Sequence, residues 1–224
     1  MTAVAAVLGL LLIRAGSSFI PSLTFEFATN RLTYLYVFLA TATVFLVLGY
    51  ILGRRIEELR RLSTTDALTG LANQRGFQAR LHDEWHRAGR YQSPLSLLFI
   101  DIDGLKRIND ERGHAAGDVV LRTAAHAINA TMRTSDFGAR WGGDEFGIVA
   151  PNTPRSAAQQ LALRLLGHVS EQARARGTPV TLSVGVTTWE PKQDSSATVE
   201  RLRSAADMAL YQAKSAGRNC VRVA

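Results

Sequence analysis

Two pairs of carboxylates stand where they could do chemistry together. Asp101 and Asp103 close a nearly continuous apolar run, Leu95-Ser-Leu-Leu-Phe-Ile100. Asp144 and Glu145 directly follow Gly142-Gly143, a glycine pair that marks a tight turn between two short strand-like segments. Carboxylates crowded together repel one another unless a cation or proton joins them. An all-oxygen donor set selects a hard ion such as Mg2+, or Mn2+, which completes its shell with phosphate oxygens and water. Metal-assisted phosphoryl transfer is the natural use of such a site. Gly142 and Gly143 have no Cβ to hold off a bulky ligand. Lysine is scarce, three residues against 23 arginines, and Lys106 and Lys214 stand where polyphosphate could meet them. Taken singly, each acidic turn and each lysine is an ordinary solvated charge, so the case rests on their convergence.

Convergence depends on the elements that carry these residues. Asp66 reads as a turn or cap. Periodicity predicts helices over 74–90, 115–132, 155–176 and 199–215. It predicts strands over 95–100, 136–141, 145–150, 180–188 and 219–223. The resulting order is the βαββαβ plan of a ferredoxin-like α+β fold with extra elements, the plan of nucleotidyl cyclases and polymerase palms. In that sheet the first strand neighbours the hairpin, which brings the carboxylates to one edge.

The 224 residues carry a net charge of +7, split +3 over the first 64 residues and +4 over the rest. This modest excess suits a nucleotide ligand or a position beside anionic lipid. No zinc spacing, recognition helix or aromatic–basic interleaving points to nucleic acid. The single cysteine, Cys220, excludes an intrachain disulfide and reads as a small buried residue before the last strand.

Residues 1–52 read as a membrane region, 53–64 as a helical linker and 65–224 as the catalytic domain. The 22 residues from 32 to 53 contain no charge. As a helix they span about 33 Å, enough for a bilayer core. Arg54, Arg55, Arg60 and Arg61 follow this span and only Arg31 closely precedes it, so the C-terminal part is expected on the cytoplasmic side. A first span over roughly 3–20 would complete a hairpin, or it is the tail of a longer sensor. Leu52, Ile56 and Leu59 give the linker a short coiled-coil seam.

The soluble part resembles a known family, the GGDEF diguanylate cyclases. Arg140-Trp-Gly-Gly-Asp-Glu-Phe146 looks like its signature. Asp66-Ala-Leu-Thr-Gly-Leu-Ala-Asn73 resembles its opening motif. Asp101 through Asp118 resembles its metal and guanine motif, and Ser183-Val-Gly185 and Ala213-Lys214 through Asn219 resemble its closing pieces. Where the family often carries an aromatic residue near Gly104-Leu105, this chain has none.

The resemblance implies roles. Asp101, Asp144 and the Ile102 carbonyl would hold Mg2+. Glu145 would be a further ligand or help deprotonate the attacking hydroxyl. Asn109 and Asp118 would read the guanine edge, and His114 would contact the nucleotide or hold its loop. Lys106, Lys214 and Arg218 would bind triphosphate beside Gly142 and Gly143, and Asp103 would hold the local loop. Arg133 and Asp136 match an RxxD site for inhibitory product, with Arg164 as its second arginine. The implied reaction joins two GTP into cyclic di-GMP and two pyrophosphates, in a homodimer at a bacterial cytoplasmic membrane. The alternative is a receptor of the same fold that binds cyclic di-GMP or GTP with little or no turnover.

Overall fold

The computed structural model describes residues 7–9, 21–175, 180–191 and 197–224. The chain divides into two compact units after Ser63.

Helix α1, Pro21–Leu62, dominates the first unit, with non-helical backbone at Asn30. Thr29–Arg55 is the one stretch among the described residues long and apolar enough to cross a membrane. It begins three residues before the expected span and ends two after it. Its side chains are largely exposed, among them Leu35, Phe38, Phe45 and Ile51, while Tyr34 is buried. Arg54 folds back so that its guanidinium lies 5.8 Å from the centroid of the Tyr50 ring. The helix runs through the expected linker to Leu62 without a break. Most of the expected first span, and the Ile56 and Leu59 side chains of the seam, lie outside the described residues.

The second unit is a five-stranded sheet in the order β2-β3-β1-β4-β5. Its strands are β1 Leu95–Asp103, β2 Phe137–Arg140, β3 Glu145–Pro151, β4 Thr181–Trp189 and β5 Val221–Val223. The first four form the expected antiparallel ferredoxin-like arrangement, and β5 adds a parallel edge strand beside β4. The helices of this unit are α2 Gln74–Tyr91, α3 Leu105–Arg112, α4 His114–Thr131, α5 Arg155–Ala175 and α6 Val199–Ser215. The short helix α3 was not expected, whereas α4 lies within a residue of the helix expected over 115–132. Cys220 is half-buried rather than buried.

Helices cover both faces of the sheet, which is why β1 reads as a continuous apolar run rather than an alternation. Its residues still divide by period two. Leu98, Ile100 and Ile102 enter a core built with α3, α4 and α5. Leu95, Leu97 and Phe99 enter a second core built with α2 and α6. Asp101 and Asp103 continue the odd-numbered series and so face the side of α6. This parity fixes which cations they meet.

Tight packing of α6 on the sheet depends on Gly185. A Cβ there would run into helix backbone at Ala206 and Leu210. Backbone cannot turn aside as a side chain can. Gly185→Ala is expected to destabilise the domain by about 3 kcal/mol, the upper end for overpacking. Urea unfolding would measure the loss.

Candidate active site

Asp101 sits opposite Glu145 where β1 pairs with β3, and both lie at the same sheet edge. The next residue, Ile102, donates its backbone N–H to the Asp144 carbonyl at 3.1 Å. The strand end and the hairpin tip are therefore joined by backbone, and the three carboxylates share one neighbourhood. Asp101 is buried. Burial pushes its carboxyl above the ordinary value, Lys214 pulls it back by hydrogen bond and charge, and Asp144 and Glu145 push it up again. The net direction is upward. Lys214, near the end of α6, donates to Asp101 Oδ2 at 2.6 Å. Among the described residues, no three His, Cys, Asp or Glu side chains close into one ion-sized cluster. The carboxylates share a field, with a lysine as counter-ion.

Asp103 is committed elsewhere. It accepts hydrogen bonds from Thr181 Oγ1 and Ser183 Oγ, both at 2.7 Å, and from the Asn219 N–H at 3.1 Å. Arg218 Nε lies 4.0 Å from it. These bonds tie β1 to β4 and to the loop before β5.

A cavity of about 490 Å3 opens beside this edge. Lys106 and Asn109 of α3, His114 and Asp118 of α4, and Gly143 and Asp144 of the hairpin line it. Gly117 is also on its wall, and a Cβ there would overlap the Asn109 carboxamide. Helix α4 thus approaches α3 closely because residue 117 has no side chain. Asp101, Ile102, Glu145, Gly142, Lys214 and Arg218 adjoin the cavity's Asp144 end or lie beyond it, and do not line it.

The Gly142-Gly143 turn differs from the tight primed turn expected of a glycine pair, since neither residue takes a positive φ. Its shape is held instead by Arg140. The Arg140 Nη2 donates to the Gly143 carbonyl at 2.7 Å, and Nε reaches the carbonyls of Gly142 and Gly143 at 3.1 and 3.2 Å. Of the two, Gly143 lines the cavity and a Cβ there would meet nothing within 4 Å, whereas a Cβ on Gly142 would come within 3.2 Å of Glu145 Oε2.

Arg140 is held in turn by Asp66, whose two oxygens accept from Nη1 at 3.3 Å each. Asp66 shapes the opening loop by accepting from the Thr69 N–H at 2.9 Å and the Thr69 hydroxyl at 2.6 Å. The Arg140 N–H donates to the Ala72 carbonyl at 2.8 Å, closing the same contact through backbone. Sequence reasoning read Asp66 as the turn or cap it forms with Thr69, but gave Arg140 no role of its own and did not foresee their contact. They are 74 positions apart, and no local pattern signals their pairing.

Arg133 and Asp136 form a small turn after α4. The Asp136 N–H donates to the Arg133 carbonyl at 3.0 Å, and the Arg133 N–H donates to Asp136 Oδ2 at 2.9 Å. The Arg133 side chain is exposed. Arg164 is exposed on α5, one helical turn before His168, whose ring lies 3.3 Å from the Thr131 hydroxyl at the end of α4.

A family model described as Diguanylate cyclase, GGDEF domain, matches residues 63–220. Diguanylate cyclase DgcP of Pseudomonas aeruginosa is 41% identical over 172 residues, which is 75% of this chain and 25% of DgcP. Response regulator PleD of Caulobacter vibrioides is 39% identical over 175 residues, 76% of this chain and 38% of PleD. The chain thus spans well under half the length of these relatives. The crystal structure of the coiled coil and GGDEF domain of DgcB from Caulobacter crescentus, in complex with c-di-GMP, matches with a TM-score of 0.67 and 31% identity, covering 85% of this chain and 99% of that one.

The Asp66–Arg140 pair yields a pH prediction. Burial pushes the Asp66 carboxyl up, but the Thr69 side-chain and backbone hydrogen bonds and the Arg140 charge bring it below its ordinary 3.8. A lowered folded value means stabilisation that is present above 3.8 and lost as the pH falls through the folded value. Asp66→Asn is expected to cost about 1 kcal/mol at neutral pH. The difference from the native protein should vanish in acid well below the ordinary carboxylate range. Urea unfolding at both pH values would check it.

Proposed function

Since this chain belongs to the diguanylate cyclase GGDEF-domain family, we propose that it condenses two GTP molecules into cyclic di-GMP, acting as a homodimer at a membrane. The observation that carries this reading is the cavity whose wall runs from Asn109 and Asp118 to Asp144. A carboxylate and a carboxamide at one end suit the N–H donors of a guanine edge. Adenine presents a different edge, so the same pair favours GTP over ATP. Lys106 on this wall, with Lys214 and Arg218 beyond it, offers cations to the triphosphate.

The carboxylate group fits a hard divalent cation. Asp101 is buried and pushed upward, with Lys214 bonded to it as counter-charge. Asp101, the Ile102 carbonyl, Asp144 and Glu145 would hold Mg2+ or Mn2+. When bound, the ion supplies positive charge to the phosphate oxygens and favours ionisation of a nearby hydroxyl. Glu145 is either one of its ligands or the acceptor of the proton from the attacking 3′-hydroxyl. In the reaction each 3′-oxygen bonds to the α-phosphorus of the other nucleotide, the bond from that phosphorus to the bridging oxygen breaks, and pyrophosphate leaves.

A cavity of about 490 Å3 has the size of a single-ligand pocket. The second nucleotide would come on a second copy of the chain. Facing two loaded domains supplies the proximity that makes both attacks effectively intramolecular. Thr29–Arg55 would anchor the chain in lipid, with Tyr50 and Arg54 at the cytoplasmic boundary.

The test is cyclic di-GMP formation from GTP and Mg2+ by the full chain in lipid or detergent, beside Asp144→Ala. Product from the native chain, reduced at least about 100-fold in the variant, is the expected result. No product from either, with GTP or cyclic di-GMP still bound, would replace the cyclase by a receptor.

We further propose that product inhibits at Arg133, Asp136 and Arg164. Asp136 accepts from the Arg133 N–H through Oδ2 and from the Ser135 hydroxyl through Oδ1, and a carboxylate retains further acceptor sites for a guanine edge. Charge-assisted bonds of this kind are worth about 1.5–3 kcal/mol. Arg133→Ala is therefore expected to weaken inhibition by added cyclic di-GMP at least about tenfold. Unchanged inhibition would remove the site.

A further inference from the structure

Two of the five histidines stand one turn apart on the outer face of α2. Residues four apart on a helix lie on one face, with Cβ atoms about 5–6 Å apart, so their rings can reach a common point. Here Nε2 of His82 and Nε2 of His86 are 3.0 Å apart. The ring centroids are 4.4 Å apart and the planes meet at 84°. Both side chains are exposed. The proposed reaction uses neither.

Two imidazole nitrogens at this separation share either a proton or a metal ion. Metal–nitrogen bonds of about 2.05 Å to atoms 3.0 Å apart enclose an angle of about 94°. That is close to the right angle between neighbouring ligands of a tetragonal or octahedral ion, and narrower than a tetrahedral angle. Imidazole suits Cu2+, Ni2+ and Zn2+, whereas Mg2+ takes oxygen ligands. The angle ranks Cu2+ and Ni2+ ahead of Zn2+, which prefers four tetrahedral ligands. Because the rings are exposed, they can turn between the hydrogen-bonded and the chelating arrangement, and water can fill the remaining positions.

We propose that His82 and His86 form a bidentate site for a divalent transition-metal ion, Cu2+ or Ni2+ before Zn2+, separate from the carboxylate centre and closed to Mg2+. An ion held there staples one turn of α2. That helix packs Phe77 edge-on against Trp141, with ring centroids 5.3 Å apart, just before the Gly142-Gly143 turn. His82 also borders a groove that contains Trp141, Glu200 and Arg203. The bound ion thus stiffens the helix behind the hairpin and stabilises the folded chain by mass action. This inference does not depend on the cyclase reading.

The test uses the full chain in detergent, free of any polyhistidine tag and saturated with Mg2+ so that the carboxylates are occupied. It is titrated calorimetrically with Ni2+, Cu2+ and Zn2+ beside His82→Ala, His86→Ala and the double variant. Alanine is a good helix former, so the variants keep the fold, and thermal unfolding without added transition metal checks this. Binding of one Ni2+ per chain, weakened at least about tenfold by either single change, is the expected result. The rise in melting temperature caused by Ni2+ should disappear with it. Equal binding by the native chain and the double variant would overturn the proposal and leave the pair a hydrogen bond. So would a loss that followed only one of the two histidines.

Discussion

Negative charge crowded at the end of a buried strand is the constraint on which the site depends. Asp101 lies where water cannot reach it freely, across the sheet from Glu145 and one backbone hydrogen bond from the Asp144 peptide. Such a group is unfavourable without positive charge nearby, and Lys214 supplies it at 2.6 Å. Strand parity turns Asp101 toward α6, and the close seating of α6 over Gly185 brings Lys214 within reach. In the proposed reaction, Asp101 needs a divalent ion and the triphosphate needs cations. Lys214 stands between the two demands: its bond to Asp101 and a bond to phosphate use the same ammonium group.

The hairpin tip depends on a second charge contact. A glycine pair exposed to solvent does not hold one conformation by itself. Arg140 supplies the missing order by binding the carbonyls of both glycines, and Asp66 fixes Arg140 from the opening loop. Gly143 can then stay bare on the cavity wall because its carbonyl is held by Arg140, which lines the same cavity. A side chain rigid enough to order the turn from within would occupy the space that Gly143 leaves open.

Local patterns made much of this legible. The apolar run at 95–100 revealed a buried strand with Asp101 and Asp103 at its end, and the structure adds that their parity turns both toward α6. The helices over 74–90, 155–176 and 199–215 showed their apolar faces plainly, to within a residue of the described ends. Helix α3 did not, since eight residues with only Leu105 and Ile108 buried carry too little periodicity. Its start is set by Gly104 at φ 74° and its end by Gly113 at φ 80°, conformations that composition alone does not announce. The Asp66–Arg140 contact was invisible for a different reason: it exists only once the opening loop pairs with β2, through the bridge from Ala72 to Ala139. The Gly142-Gly143 pair signalled a turn correctly, but the Arg140 side chain that binds its carbonyls could not be read from the pair.

The distribution of these residues along the chain bears on the proposed control of the reaction. Asn109 and Asp118 lie on two helices broken at Gly113, whereas Asp101 and Glu145 lie on paired central strands. The end of the cavity proposed for the nucleobase is therefore carried by two short-linked helices, and the end proposed for the phosphates by hydrogen-bonded strands. In the proposed reaction the reacting phosphorus would have to be held closely for attack from a partner's nucleotide, which suits the strand end of the site. A cavity sized for one nucleotide would let a single domain load substrate without being able to turn it over. In the proposed reaction, turnover would wait on the meeting of two loaded copies, and anything that changed how often they meet would change the rate without touching a residue of the site.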